Sequence, residues 1–183
     1  KLEVRVKGFK NDGTPVSNNL VEVFTYGETQ SQAALHNLRG QLYQLQDQSG
    51  IVINHAYNLE GELLDTTRQF TKIYNHTSQE INKHADNGVN WDTDVALEKD
   101  GQGQDIRYQT QFSFNALKQL RTETTPDCSV TKNTYNLGGL LNTVTVQFKD
   151  GTLQPIINHI EYDANRQRTQ IIYQNGVTTE YAY

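Results

Sequence analysis

The sequence has no methionine and a single cysteine, Cys128. One thiol can form neither an internal disulfide nor a cysteine-based metal site, and it does not indicate a compartment. Because position 1 is a lysine and methionine is absent, we expect the chain to be a processed or excised piece of a longer protein. No apolar run approaches the roughly 20 residues of a membrane-spanning helix, and no signal peptide is recognisable. The sequence predicts no membrane span.

Apolar residues are also scarce. The hydrophobic set makes up 35% of the chain and the mean hydropathy is -0.72. Even with the 13 glycines added, this set falls short of the roughly 45–50% apolar content of an ordinary globular domain. Charged residues make up only 20%, however, and the net charge is -5, so the composition is not that of a disordered chain. The 10 tyrosines, with many Val, Ile and Thr, favour strands. We therefore expect a thin sheet with two partly wet faces.

The charge balance excludes one class of partner. The sequence pI is about 5.5, and the densest basic stretch, from Arg166 to Arg168, is ordinary for a solvated strand. A nucleic-acid binder needs a basic stripe that neutralises phosphates. The sequence therefore predicts no nucleic-acid partner.

A seven-residue motif recurs, with an aromatic residue, Asn, two variable positions, Gly, one variable position and Leu. The copies that begin at positions 57 and 135 keep every key position, whereas those at 36, 114 and 162 lose one or more. The motif residues that we single out are Asn37, Gly40 and Leu42; Tyr57, Asn58, Gly61 and Leu63; Phe114, Asn115 and Leu120; Tyr135, Asn136, Gly139 and Leu141; and Tyr162 and Asp163.

A second class of turn signal alternates with this motif, at 47–50, 126–129, 150–151 and 175–176. Asp-Gly and Asn-Gly indicate a type I′ hairpin turn, in which both central residues have positive φ. In the motif itself, the Asn side chain can bond the backbone two residues on, and the Gly accepts a left-handed conformation. Each period therefore predicts one β-hairpin, and stability should come from neighbouring hairpins stacking.

We expect one segment, 1–183, with leading strands in 1–31, repeats in 32–70 and 111–183, and a polar insertion in 71–110. The insertion should protrude from the sheet, with Trp91 pinning it down and a short helix beginning within 77–83.

No catalytic motif is present. The histidines form no HExxH sequence and no pair at helical metal spacing. One local cluster of metal-ligand types, formed by His84, Asp86, Asp92 and Asp94, does not match the spacing of a calcium loop. Cys128 has no sequence signature of a base that could activate it. We predict that the chain is not an enzyme and has no metal or cofactor; a hydrolase hidden in the insertion would require His84 or Asp92.

The motif at Tyr57, Tyr135 and Tyr162 resembles the tyrosine-aspartate (YD) repeats of the Rhs family. The stretches at 37–43, 124–130 and 160–164 resemble parts of long bacterial Rhs proteins that carry a virulence-plasmid-B-like amino-terminal region, relatives of the insecticidal toxin-complex (Tc) B component. The resemblance covers essentially the whole chain. The sequence departs from it at Lys118 and Arg166, which stand where the repeat glycine belongs, so we expect those two turns to be looser or of another type.

The resemblance implies an all-β array of antiparallel hairpin repeats that forms a curved or spiralling sheet. This sheet would be a strip of a hollow shell around a carboxy-terminal toxin or effector, in a secreted or cell-surface parent protein. The implied partners are the neighbouring repeats and the enclosed toxin segment. Neither self-cleavage nor toxicity carries over, because the chain has no cleavage segment and no toxin domain. An alternative stays open, an adhesion module in which Trp91 or exposed tyrosines bind glycans or a host surface protein.

Overall fold

A computed structural model of the chain describes residues 1–9, 13–72 and 89–183. These residues form twelve strands that neighbour one another in chain order, with antiparallel pairing. The prediction of an all-β antiparallel array is confirmed. None of the helical residues described here belongs to a helix long and apolar enough to span a membrane. The strands are β1 (Leu2–Phe9), β2 (Pro15–Tyr26), β3 (Leu42–Asp47), β4 (Gly50–Tyr57), β5 (Leu63–Phe70), β6 (Tyr108–Phe114), β7 (Leu120–Thr124), β8 (Val130–Tyr135), β9 (Leu141–Gln147), β10 (Leu153–Tyr162), β11 (Arg168–Tyr173) and β12 (Thr178–Glu180).

The chain divides into two compact units, Lys1–Gln109 and Thr110–Tyr183. In the first unit, a single turn of 3-10 helix (Gly27–Thr29) opens the long loop between β2 and β3. A small apolar cluster forms beneath this loop, because Ala33 and Leu38 of the loop are buried together with Tyr57 of β4. This cluster is small, and only eight apolar side chains among the described residues are buried.

Residues 89–98 of the insertion are hydrogen-bonded to the strands, so the prediction that the insertion protrudes is wrong for that stretch. The N–H of Glu98 donates to the carbonyl of Phe70 at 2.8 Å, and the N–H of Lys72 donates to the carbonyl of Ala96 at 3.0 Å. The Gln69 side chain adds a bond to the carbonyl of Glu98 at 3.1 Å. Backbone groups at the end of β5 therefore find partners in the insertion, which holds it against the sheet. The helix expected at 77–83 lies outside the described residues.

The second unit is a meander in which short turns join successive strands from most of β6 to β12. Hydroxyl pairs cross between strands on a polar face, with 2.6 Å between the hydroxyl oxygens of Ser113 and Thr122 and the same distance between those of Thr134 and Thr143. Such cross-strand pairs stabilise a sheet that buries little apolar surface. Ile160 and Ile171 pair directly across β10 and β11 and are buried.

Candidate functional site

Four of the five motif copies form the same tight turn between two strands. In the copy that starts at position 57, the N–H of Asn58 donates to the carbonyl of Glu62 at 2.9 Å, and the N–H of Gly61 donates to the carbonyl of Asn58 at 3.2 Å. These two bonds close a three-residue loop in which a β-turn is followed by one left-handed residue. Equivalent pairs of bonds close the loops that begin at Asn115, Asn136 and Asp163.

The Asn or Asp that opens the turn is held by its own side chain. Oδ1 of Asn58 accepts the N–H groups of Glu60 and Glu62, both at 2.9 Å. A short side chain with one acceptor oxygen is needed to reach both donors, which is why the motif has Asn or Asp at this position. Asn115 and Asp163 make the same two side-chain bonds, and Oδ1 of Asn136 accepts the N–H of Leu140 at 2.9 Å.

Two copies keep the left-handed residue although they lack the glycine. Gly61 and Gly139 have φ of 89° and 74°, and Lys118 and Arg166 have φ of 62° and 66°. The expectation of looser or differently typed turns at Lys118 and Arg166 is therefore wrong. The hydrogen-bonded loop imposes the conformation, at a cost of roughly 1–2 kcal/mol for a residue that carries a Cβ.

Three of the four turns of the second class adopt the same loop, and not the type I′ turn that the sequence predicts. The N–H of Tyr173 donates to the carbonyl of Val177 at 2.9 Å, and the N–H of Gly176 donates to the carbonyl of Tyr173 at 3.1 Å. Among the described residues with positive φ, Gly176 is present at 81° and Asn175 is not, whereas a type I′ turn needs both. The loop between the strands therefore has three residues, where a type I′ turn has two. The turns that contain Cys128 and Gly151 have the same geometry.

The exception is the turn at 47–50, where Asp47 pairs directly with Gly50. Oδ1 of Asp47 accepts the N–H groups of Ser49 at 2.8 Å and Gly50 at 3.0 Å, and both carboxylate oxygens lie 2.8 Å from Nη2 of Arg68. Burial alone would raise the pKa of this carboxyl, but the bonds from Arg68 and Ser49 lower it overall. Asp47 thus organises this turn as a carboxylate.

A β-bulge follows the residue that ends each motif copy. Tyr135 pairs with Leu141, and the next pair is Thr134 with Thr143, so that Asn142 is an extra residue in β9. A bulge of this kind interrupts the ladder of backbone hydrogen bonds and turns the local backbone. The corresponding extra residues of the other copies are Tyr43, Leu64, Arg121 and Thr169.

The tyrosine of one copy binds the bulge of the preceding copy. In each case its hydroxyl donates to the carbonyl of the leucine at that bulge, so a side chain supplies a donor where the ladder is interrupted. Phe114 has no hydroxyl and cannot make this bond. The three bonds run from Oη of Tyr57 to the carbonyl of Leu42 at 2.7 Å, from Tyr135 to Leu120 at 2.8 Å, and from Tyr162 to Leu141 at 2.8 Å.

Two asparagines that the sequence analysis missed reinforce these contacts. Nδ2 of Asn54 donates to the carbonyl of Leu42 at 3.0 Å and lies 2.8 Å from the hydroxyl of Tyr57. Nδ2 of Asn133 donates to the carbonyl of Leu120 at 3.1 Å. The signal that could have revealed them is an Asn inside a strand, two or three residues before a motif tyrosine, since Asn is depleted in strands unless its side chain has a role.

The pKa values of two of these tyrosines, Tyr57 and Tyr162, are raised. Burial raises the pKa of Tyr57, and the bond with Asn54 offsets part of that rise. Burial likewise raises the pKa of Tyr162. A neutral phenol can donate to a carbonyl whereas a phenolate cannot, so the raised pKa preserves the contact.

The first motif copy differs from the others, because it lies in the loop between β2 and β3. Its β-turn is shifted by one residue, so that the N–H of Gln41 donates to the carbonyl of Leu38 at 3.0 Å. Nδ2 of Asn37 donates to the carbonyl of Tyr57 at 2.8 Å. Gly40 is left-handed, with φ of 76°. This copy therefore contributes the Leu42 acceptor without forming a hairpin turn of its own.

Trp91 fastens the described part of the insertion to the strands. Its indole N–H donates to the carbonyl of Asp47 at 3.1 Å, and its backbone N–H donates to the carbonyl of Leu20 at 2.9 Å. Beside it, Asp92 forms two hydrogen bonds with Arg5, at 2.6 and 3.0 Å. The indole N–H therefore already has a hydrogen-bond partner within the protein. A surface-binding role for Trp91 stays a prediction.

The candidate metal cluster is not assembled in the described part of the chain. His84 and Asp86 lie outside the described residues, and Asp92 is bound to Arg5. The described residues contain no group of three or more His, Cys, Asp or Glu that could hold a metal ion. Cys128 is exposed at its turn.

No family model matches the chain, and no curated protein matches it. Solved structures do match. A crystal structure of TcdB2-TccC3 aligns with a TM-score of 0.75 and 22% identity, over 99% of this chain and 9% of that one. The crystal structure of TcdB2-TccC3-Cdc42 gives the same values. The Photorhabdus luminescens Tc holotoxin pore aligns with a TM-score of 0.72 and 22% identity, over 99% of this chain and 8% of that one.

This likeness shows the fold. Residues from nearly the whole chain have the backbone arrangement of a stretch of the toxin-complex chains, and this stretch is less than a tenth of their length. The fold is therefore toxin-complex-like, in agreement with the sequence resemblance, while membership of the Rhs family stays a prediction.

Proposed function

We propose that the chain is a non-catalytic wall segment of a large secreted bacterial protein of the Rhs and toxin-complex kind, a strip of the β-shell that encloses a carboxy-terminal toxin or effector. One observation carries the proposal. A tyrosine in each of three motif copies binds the bulge of the preceding copy, in a fold shared with toxin-complex chains over 99% of the sequence.

The contacts between neighbouring hairpins allow such an array to be extended. Each tyrosine contact joins only neighbouring hairpins, and the turns close through their own backbone and side-chain bonds. Stability then comes from the sum of hairpin-to-hairpin contacts and not from one central core. A sheet built in this way can be lengthened repeat by repeat, as an enclosing wall requires.

The same architecture accounts for histidines that are of a residue type common in catalytic sites. A ring nitrogen of His55 lies 2.9 Å from the hydroxyl of Thr67, and one of His159 lies 2.8 Å from the side-chain oxygen of Asn142. These are cross-strand contacts on a partly wet sheet. The proposal assigns these side chains no catalytic role and assigns the segment no reaction.

Limited proteolysis of the longer polypeptide tests the proposal. The persistence of its carboxy-terminal region is compared with and without the segment corresponding to 1–183. If the segment is part of a closed wall, that region is protected only when the segment is present. Equal rates of digestion of the carboxy-terminal region in both polypeptides would contradict the proposal and favour an exposed arm.

A further inference from the structure

The first unit contains a polar cavity of about 470 Å³ under the loop between β2 and β3. Ligand-binding cavities in proteins have volumes of roughly 300–1,000 Å³, so this one is large enough for a small molecule. One wall is the loop itself, at residues 30–32, His36 and Leu38. The other consists of strand residues, namely Tyr43, His55, Ala56, Asp65 and Gln109.

The loop wall is fixed in place, so the cavity is present before any ligand arrives. Leu38 is only 3% exposed and anchors the loop in the apolar cluster. The carbonyl of His36 accepts the N–H of Tyr57 at 3.0 Å, which joins the loop to the end of β4. A preformed cavity avoids the entropic cost of ordering a loop on binding.

The polar groups of the strand wall are oriented by neighbours. Nε2 of His55 lies 2.9 Å from the hydroxyl of Thr67, which fixes the plane of the imidazole. Nε2 of Gln109 donates to the two oxygens of Asp65 at 2.9 and 3.0 Å. These contacts direct an imidazole and an amide carbonyl into a defined geometry, as in sites that read hydroxyl groups by hydrogen bonding.

The composition of the lining selects the chemistry of the ligand. Among the residues that the structure describes, no lysine or arginine lines the cavity, so an anion would find no counter-charge from them. Its one carboxylate, Asp65, already accepts two bonds from Gln109, and the described residues provide no cluster of three metal ligands. The other polar groups of the lining are amides, a serine hydroxyl and two imidazoles. They lie beside the apolar surfaces of Leu38 and Tyr43.

From this lining we propose that the cavity binds a neutral saccharide unit, through hydrogen bonds from the sugar hydroxyls to His55, Gln109 and the loop residues 30–32. Each hydroxyl both donates and accepts, which matches imidazole, amide and serine groups. The site does not depend on whether the chain forms part of a shell.

Titration of the folded chain with glucose, galactose and N-acetylglucosamine, followed by NMR chemical shifts, tests the proposal. At least one sugar should bind saturably, with a dissociation constant on the order of 1 mM for a ligand of this size. His55→Ala and Gln109→Ala should each weaken binding about five- to tenfold. His159→Ala, which removes a histidine of the second unit, is the matched control and should leave the affinity unchanged.

Gln109 is exposed, so its variant should fold even if His55→Ala does not. Glucose 6-phosphate gives a further test of the neutral specificity, since its charge meets no cation and it should bind more weakly than glucose. The proposal is overturned if none of the three sugars saturates the chain, if Gln109→Ala binds as the parent does, or if the phosphorylated sugar binds more tightly.

Discussion

The hydroxyl of Tyr135 should contribute measurably to the stability of the second unit, and Tyr135→Phe removes it alone. The hydroxyl donates to the carbonyl of Leu120 at 2.8 Å, and that carbonyl also accepts Nδ2 of Asn133 at 3.1 Å. Because Asn133 still satisfies the acceptor, the loss should be that of one ordinary hydrogen bond, about 0.5–1.5 kcal/mol.

The second donor to this carbonyl, Asn133, allows a sharper test. Asn133→Ala alone should also cost about 1 kcal/mol, because Tyr135 keeps the carbonyl of Leu120 bonded. The double variant removes both side-chain donors from one acceptor, so its cost should exceed the sum of the two single costs by about 0.5–1 kcal/mol. Tyr135→Ala additionally loses the ring and should be more destabilising than Tyr135→Phe.

Urea denaturation measures these free energies of unfolding, and thermal denaturation should show shifts of about 2–4 °C per kcal/mol for a chain of this size. Tyr173→Phe is the matched control, since the Tyr173 hydroxyl makes no hydrogen bond to the residues that the structure describes. Equal losses in the free energy of unfolding for Tyr135→Phe and Tyr173→Phe would refute this reasoning. A double variant whose cost is the simple sum of the two single costs would refute it as well.

Three further predictions concern the turns. Arg166→Gly should stabilise the chain by roughly 0.5 kcal/mol in urea denaturation, because relief of left-handed strain at φ of 66° exceeds the entropic cost of glycine; destabilisation would contradict this. Gly139→Ala should destabilise by about 1–2 kcal/mol in the same assay, since φ is 74° and the added Cβ would lie 3.2 Å from Nε2 of Gln119; an unchanged midpoint would contradict it. Hydrogen bonds from Thr125 and Ser129 lower the pKa of Asp127 to about 2, so its contribution to stability is present above about pH 4 and is lost as the pH falls towards 2. Asp127→Asn should therefore reduce the fall in melting temperature between pH 5 and pH 2, and an equal fall in both proteins would show that this carboxylate is not involved.

The fold could be predicted from the sequence because its signals are local. Alternating polar and apolar residues favour strands, and an Asx residue followed by glycine marks where the chain reverses. Both signals recur at regular positions, so they predicted antiparallel hairpins without any knowledge of tertiary contacts. The role of Asn58 is of this kind, since its partners are two and four residues away.

The features that the sequence analysis predicted wrongly or missed depend on strand register and on contacts between residues that are distant in the sequence. Asp150-Gly151 is compatible with a two-residue or a three-residue loop, and only the strand pairing decides between them. Arg166 adopts a conformation that glycine prefers because the surrounding bonds hold the loop closed. The contact of Tyr162 with Leu141 spans 21 residues and depends on a bulge that no residue type signals, so the sequence predicted stacked hairpins but not this contact between them.

The most direct test of the wall proposal is hydrogen–deuterium exchange at the two strands that end the strand order, β1 and β12, in the chain alone and in the longer polypeptide. In the chain alone, each of these strands pairs with one of the described strands, on one side, and amides on the other side should exchange quickly. If the chain is a segment of a continuous wall, further repeats pair with both strands, and exchange in Leu2–Phe9 and Thr178–Glu180 should slow markedly in the longer polypeptide. Equally fast exchange in both would contradict the account.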